Sequence, residues 1–541
     1  MKTTGWMEQA AYHKSQLEAA IPGAWKLSSA AQADLPLNVS NLVRDCGQLD
    51  AVELEIISLD ATDLAQAIAK RSYTAVIVTT AYAKAAAIAH QATNCLSDYF
   101  PEEALERARW LDQELERTGN PVGPLHGVPI SVKDQIGLKG HLASCGFLSA
   151  ITETKNDSLL VSIFRSAGAV FMAKSCLPQA IMHLETDSFR GPTLNPYNRN
   201  LTPGGSSGGE SALLGCKGSA MGIGSDIGGS IRNPCALTGL YGFKPTVGRV
   251  PTKGGDGVTA IYGQDTIYGT TGPMCRSSRD LELWLRTIIT AEPWKRHPTV
   301  LKMPWNMGEV SYLNGGARPK IGILWDDGVV RPQPPIRRAI QYAVDKLKRA
   351  GFELVDVKPY KSEEAWNIIS SLYFTDGGQI NRNYAARTGE PLLPLTEWIL
   401  SQNTKARSAT DIMALNLKRD LFRADYHNYF HSLGVDVILC PATPGPAPKL
   451  GTSKYWNYTS FWNLVDYPCG VFPTGLKVEF SDLPDAPYKF TGKADEEVWK
   501  AYDSPGSFID APLGLQVVGA KYEEELTLQA MGIIAEVVQG N

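Results

Sequence analysis

The sequence predicts an α/β protein, with one large mixed, mostly parallel β-sheet covered by helices in a single domain over residues 1–541. Three observations carry this. Short apolar runs of strand length recur at 128–132, 169–174, 321–325 and 435–440. Segments with apolar residues at helical spacing lie between them, giving β-α-β alternation that implies a largely parallel or mixed sheet with helical cover. No internal repeat or compositional break marks a second domain.

The elements follow in order. Residues 61–118 read as helical, the main part of an N-terminal helical region of about 1–119 packed over a sheet edge. Its last helix starts at Pro101-Glu102-Glu103, repeats Leu105, Ala108, Leu111 and Leu115, and closes at Gly119. Residues 128–134 form a strand ending in a polar tip, where Lys133 and Asp134 point to opposite faces, so the lysine lacks an obvious carboxylate partner. Residues 156–168 and 169–174 make one helix-strand step, and 176–199 is loop-rich. Beyond 250 come a glycine-rich crossing (Gly254, Gly255, Gly257), a helix over 278–290 and a surface excursion over 295–319. A strand at 321–325, a helix marked by Ile336, Ile340, Val344 and Leu347 and ended by Gly351, and a strand at 352–357 continue the alternation. Residues 363–423 are mostly helical, and 435–440 is a buried strand.

Composition narrows the class of function. The chain has 541 residues, 43% hydrophobic and 20% charged, with a formal net charge of -4 and no face-sized Lys/Arg cluster, which argues against a nucleic-acid partner. No run approaches the roughly 18 apolar residues of a membrane span. Glu8, His13, Lys14 and Glu18 interrupt the N-terminal apolar residues, unlike a signal peptide. Nine scattered cysteines without a CxxC pair fit a reduced, cytoplasmic compartment. There is no HExxH, no His-x-His and no Cys/His cluster at ligand spacing, and Gly215 to Ser219 lacks P-loop spacing, so neither metal nor cofactor is implied.

Chemistry concentrates in the core at about 120–250, within residues 201–250. Two glycine-framed serine sites occur there, Gly204-Gly205-Ser206-Ser207-Gly208-Gly209 and Gly228-Gly229-Ser230, with Asp226 just before the second. Glycine-serine runs also make flexible linkers. A linker has no use for the apolar segments Ala212-Leu213-Leu214 and Ala220 to Gly224 that separate these serines; they read as a short helix at 208–214 and a strand at 219–225. A serine framed by glycines presents its hydroxyl and the surrounding amides to one reacting atom. Residues 204–208 also satisfy GxSxG, the nucleophile elbow of α/β-hydrolase esterases, which would make Ser206 the nucleophile with a partner among His297, His427 and His431; that pattern leaves the second serine unexplained.

The GGSSGG element, the GSDIGGSIRNP element at 224–234 and the GVPISVKD element at 127–134 resemble the amidase signature family in motif and separation; 463–473 and 512–519 resemble its late strands, and there the chain looks closest to the fungal acetamidase and general amidase branch. The resemblance covers most of the chain and implies the amidase signature fold and hydrolysis of a carboxylic amide by a serine, serine, lysine triad. It assigns Ser230 as acyl nucleophile, Ser206 as the serine whose cis peptide bond is a family feature, and Lys133 as base. It draws the oxyanion donors from the amides of Ile227, Gly228, Gly229 and Ser230, with Ser207, Asp226 and Arg232 in support, although an Asp226–Arg232 contact could equally be a structural ion pair. A small-molecule amide is then the partner, with homodimerisation left open. The rival within the same fold is the amidase subunit of an amidotransferase complex. Residues 363–423, least tied to the family pattern, would wall the substrate cavity. For the lysine to act as a base its pKa must fall from near 10.4, which requires burial away from carboxylates.

Overall fold

The computed structural model describes residues 5–252, 257–307 and 318–540; Gly254 and Gly255 of the glycine-rich crossing and residues 308–317 of the surface excursion lie outside them. Thirteen strands are described: β1 (Leu96–Tyr99), β2 (Pro129–Lys133), β3 (Leu142–Ala143), β4 (Thr152–Glu153), β5 (Val170–Ser175), β6 (Met221–Asp226), β7 (Tyr241–Lys244), β8 (Thr270–Cys275), β9 (Ile321–Ile323), β10 (Leu354–Asp356), β11 (Val437–Pro441), β12 (Cys469–Lys477) and β13 (Pro512–Gly519). Eleven form one sheet in the order β1-β5-β2-β6-β8-β7-β12-β13-β11-β9-β10, and β3 pairs with β4 apart from it.

The sheet is mixed, as the alternation of elements implied. Its parallel pairings fall in two blocks, β5-β2-β6 and β11-β9-β10. The pairings from β6 through β8, β7, β12 and β13 to β11 are antiparallel. Alternate residues of β11 enter different apolar clusters: Val437 and Leu439 join the cluster that holds Ile340, Ala343, Val344 and Leu347 of the helix Pro334–Arg349, which packs on β11, while Ile438 and Cys440 join the one that holds Phe422, Tyr426 and Trp462. A strand alternates its side chains across the sheet, so each face carries its own core. That is why β2 and β5 are buried at every position and read as continuous apolar runs.

Local signals account for most boundaries. The helix Pro101–Thr118 has proline and two glutamates in its first turn and ends at Gly119, whose φ of 73° a residue with a Cβ resists. The helix Ser278–Thr290 is capped by Ser277. The N-terminal region is not wholly helical, however: Leu96–Tyr99 is the edge strand β1, antiparallel to β5. The four-residue strand follows a left-handed Asn94, which ends one helix just before Pro101 opens the next. Among the described residues no helix is long and apolar enough to cross a membrane. All nine cysteines are unpaired, and eight are buried.

Helix Ser278–Thr290 locks the core through Trp284, which is fully buried with its ring centroid 5.1 Å from that of Phe164. Trp284→Ala is expected to destabilise the fold by about 3–5 kcal/mol. A thermal-unfolding scan should show a large fall in midpoint for Trp284→Ala and a smaller one for Trp284→Phe.

Candidate active site

Strand β2 carries Lys133 to the sheet's C-terminal edge between β5 and β6. Asp134, the next residue, accepts hydrogen bonds from Ser97 Oγ at 2.9 Å and from Ser144 Oγ on the other side of the sheet. Lys133 is completely buried, forms no ion pair among the described residues, and has Nζ 2.7 Å from Ser206 Oγ and 3.0 Å from Ser225 Oγ. Ser225, on β6, donates to Gln135 Oε1 at 3.3 Å.

The first serine loop fits against its neighbours with no room to spare. A Cβ on Gly205 would meet His183 O and Glu185 N at 2.5 Å, and the Gly205–Ser206 peptide bond is cis. Ser207 donates its backbone N–H to the Ser230 carbonyl at 3.1 Å, stitching the two glycine-framed loops together. Its hydroxyl lies 3.4 Å from Ser225 O and Ser225 N. The helix Gly208–Gly215 follows at once. Ser230 Oγ makes no hydrogen bond among the described residues, and Ser230 lines the cavity with Ser206 and Ser225.

In the second loop the peptide planes are set from behind. Tyr373 Oη donates to Ile227 O at 3.0 Å, Thr459 Oγ1 donates to Gly228 O at 2.7 Å, and Asn233 N–H donates to Gly229 O at 2.7 Å. A planar trans peptide points its N–H opposite its C=O, so each carbonyl anchor aims the following amide. Among the described residues the Gly228 and Ser230 amides are left uncommitted, as is that of Ile227. Gly229 departs from the expected set of four: its N–H donates to Asp226 Oδ1 at 2.9 Å and is therefore occupied. Gly229 has φ 128°, with Thr459 packed where a Cβ would stand, so only glycine fits.

Asp226 and Arg232 are both fully buried and meet in a two-pronged ion pair, Nε to Oδ2 and Nη2 to Oδ1, each at 3.0 Å. Asp226 also accepts from Ile231 N at 3.1 Å, and Asn463 Nδ2 reaches it at 2.9 Å. The guanidinium continues to Thr459 O at 3.0 Å, Gln516 Oε1 at 2.8 Å and Asn463 Oδ1 at 2.7 Å. Burial alone would raise the Asp226 carboxyl, but the charge and hydrogen bonds of Arg232, with help from Asn463, hold it well below the ordinary range. Tyr373, Thr459, Asn463 and Gln516 were invisible in the sequence because nothing local marks a contact made across more than a hundred residues.

Burial pushes Lys133 down from 10.5 to about 7, against the pull of Asp226 and Glu210. Glu210, on the helix behind it, is pushed up to about 7 by burial, opposed by hydrogen bonds from Ser131 and Ser175 and by the Lys133 charge. An environment that brings a lysine this low disfavours the ammonium by roughly 5 kcal/mol relative to water.

The serines open into a cavity of about 450 Å³. Its wall is largely apolar, with Ile136, Ile181, Met182, Ile261 and Ile267, and Asp226 is the one charged residue among the described lining residues. The described lining residues come from 135–182, 206–230 and 251–271, not from 363–423 as the sequence suggested. The helical segment stands one layer further out: Leu372 O accepts from Gln264 Nε2 at 3.1 Å and from Thr266 Oγ1 at 2.7 Å, and Arg419 holds Thr266 O. No histidine is among the described lining residues. His297 bonds to Thr299 at 2.8 Å, while His427 lies 3.3 Å from Tyr467 Oη and packs on His431, which leaves the nucleophile-elbow reading without its base.

Comparison with known proteins agrees with this architecture. The family model Amidase matches residues 77–528. A Schizosaccharomyces pombe relative is 45% identical over 541 residues, covering 99% of this chain and 100% of its own. The acetamidase of Emericella nidulans is 36% identical over 536 residues, covering 97% of this chain and 96% of its own. Among solved structures, a fatty acid amide hydrolase superposes with a TM-score of 0.93 at 35% identity, covering 99% of this chain and 96% of that one. The fold and cavity thus place the protein among amide-hydrolysing enzymes. It belongs to the amidase signature family.

The Asp226–Arg232 pair has a measurable consequence. Arg232→Ala strands a buried carboxylate and should cost about 3–5 kcal/mol, with loss of amide hydrolysis. Arg232→Lys should recover under half of the lost thermal stability, because one ammonium cannot replace a fork that reaches four partner residues.

Proposed function

We propose that the enzyme hydrolyses a neutral carboxylic amide through an acyl-enzyme on Ser230, with Ser206 and Lys133 as the proton relay. The observation that carries this reading is the 2.7 Å contact between a fully buried Lys133 and Ser206, beside a Ser230 hydroxyl left free at the cavity. Neutral Lys133 takes the Ser206 proton as Ser206 takes that of Ser230, which turns toward it as substrate enters, and Ser230 Oγ attacks the amide carbon. The oxyanion falls to the uncommitted amides of Ile227, Gly228 and Ser230, since Gly229 serves Asp226. Ser206 then protonates the leaving amine, and water releases the acid by the reverse relay. With pKa about 7, about half of Lys133 is neutral at pH 7, against under roughly one part in a thousand for a free lysine.

The apolar wall, with its single charged residue already paired, favours an uncharged amide with an apolar acyl group; relatives named acetamidase and fatty acid amide hydrolase bracket a wide range of acyl lengths. Nothing in the comparisons favours the amidotransferase-subunit or esterase alternatives. The nine unpaired cysteines support a reducing, cytoplasmic setting.

Two measurements test the mechanism. A serine-directed fluorophosphonate should label Ser230, and Ser230→Ala should abolish both labelling and hydrolysis while leaving the thermal midpoint in place; label on Ser206 would overturn the assignment. The hydrolysis rate should rise with pH through about 7 as Lys133 loses its proton. Lys133→Ala should erase that limb and cost roughly 100-fold or more, whereas alanine at His126, His183, His427 or His431 should leave the profile intact.

A further inference from the structure

A neutral lysine amine has two N–H donors and one lone pair, and only the lone pair can take a proton. Two hydroxyls compete for it, since Lys133 Nζ lies 2.7 Å from Ser206 Oγ and 3.0 Å from Ser225 Oγ. A serine hydroxyl can donate or accept. If Ser225 donates to the lysine, the lone pair is engaged and Ser206 has nowhere to send its proton. If Ser225 accepts from the lysine, the lone pair is left for Ser206.

The structure gives the Ser225 proton another destination: Ser225 Oγ donates to Gln135 Oε1 at 3.3 Å. Gln135 stands two residues beyond Lys133, just past the end of β2. It is held there by Val258 N–H donating to its backbone carbonyl at 3.0 Å and by the adjoining Ile136–Gly257 bridge, and its side chain lines the cavity. The charged groups that act on Lys133 are occupied elsewhere, Asp226 with Arg232 and Asn463, Glu210 with Ser131 and Ser175. Neither carboxylate bonds to the amine and sets its orientation.

We propose that Gln135 is a positioning residue for the hydrolysis: by accepting the Ser225 proton it turns the Ser225 oxygen toward Lys133 and keeps the lysine lone pair directed at Ser206. No bond to substrate is involved, and the proton path through Ser206 is unchanged. This rests on Lys133 acting as the base.

The test is a set of pH–rate profiles on one simple amide. Gln135→Leu frees the Ser225 hydroxyl to donate to the lysine, which stabilises the neutral amine and ties up its lone pair. The plateau rate should fall about 10-fold, and the acid limb should move to lower pH. Gln135→Glu keeps an acceptor and adds a negative charge that favours the ammonium, so it should hold the plateau within about threefold and move the limb to higher pH. Ser225→Ala removes the competitor, so Gln135→Leu in that background should change the rate by less than about twofold, because the two residues act as one unit. Unshifted limbs with a lowered plateau, or multiplicative losses in the double variant, would overturn the proposal. Lys133→Ala in the same series separates the two readings: a limb that survives it refutes the lysine mechanism itself, whereas a limb that vanishes while the Gln135 variants leave it unmoved refutes only the role of Gln135.

Discussion

The strongest physical constraint at this site is the complete burial of one amine, that of Lys133. An isolated ammonium in a low-dielectric interior is expensive, and the sheet exploits that cost by ending β2 where both faces are covered and no carboxylate forms an ion pair with Lys133. The nearby acids are each given partners of their own. Asp226 is saturated by a guanidinium, an amide side chain and backbone N–H groups, and Glu210 by two serines. Either acid, were it free to pair with Lys133, would offset the burial that pushes the lysine down.

The second requirement is aim. Flexible glycine loops do not point their amides anywhere by themselves, and here the pointing is done by grips on the carbonyl side of each peptide, from Tyr373, Thr459 and Asn233. Glycine supplies the close fit, and residues far along the chain supply the direction. The Asp226–Arg232 pair then ties this loop to the strands beneath it, so the site is a part of the sheet's edge and not a decoration on it.

How much of this could be read beforehand follows from where the information lies. Lys133 and the two serine loops were legible because their signals are local: a continuous apolar strand with a polar tip, and glycines interrupted by apolar runs. The helix Ser278–Thr290 and the strands β9 and β10 were legible for the same reason. β1 was not, because four residues between two helices leave too short a stretch for alternation to register, although Asn94 and Pro101 mark the break. The cavity wall at 257–271 was hidden, being turn-rich and without period, while the strongly helical 363–423 drew attention and proved to back that wall from outside. The commitment of the Gly229 amide to Asp226 could not be read at all, since spacing says nothing about which way a peptide faces.

The reach of the Arg232 guanidinium has a consequence for how the enzyme is made. Its partners are Asp226, Thr459, Asn463 and Gln516, so the last of them sits on β13, close to the end of the chain. A ribosome has released Lys133, Ser206 and Ser230 long before it releases Gln516. Until β13 is made, these side chains therefore exist without the full set of partners through which Arg232 secures the loop around Ser230.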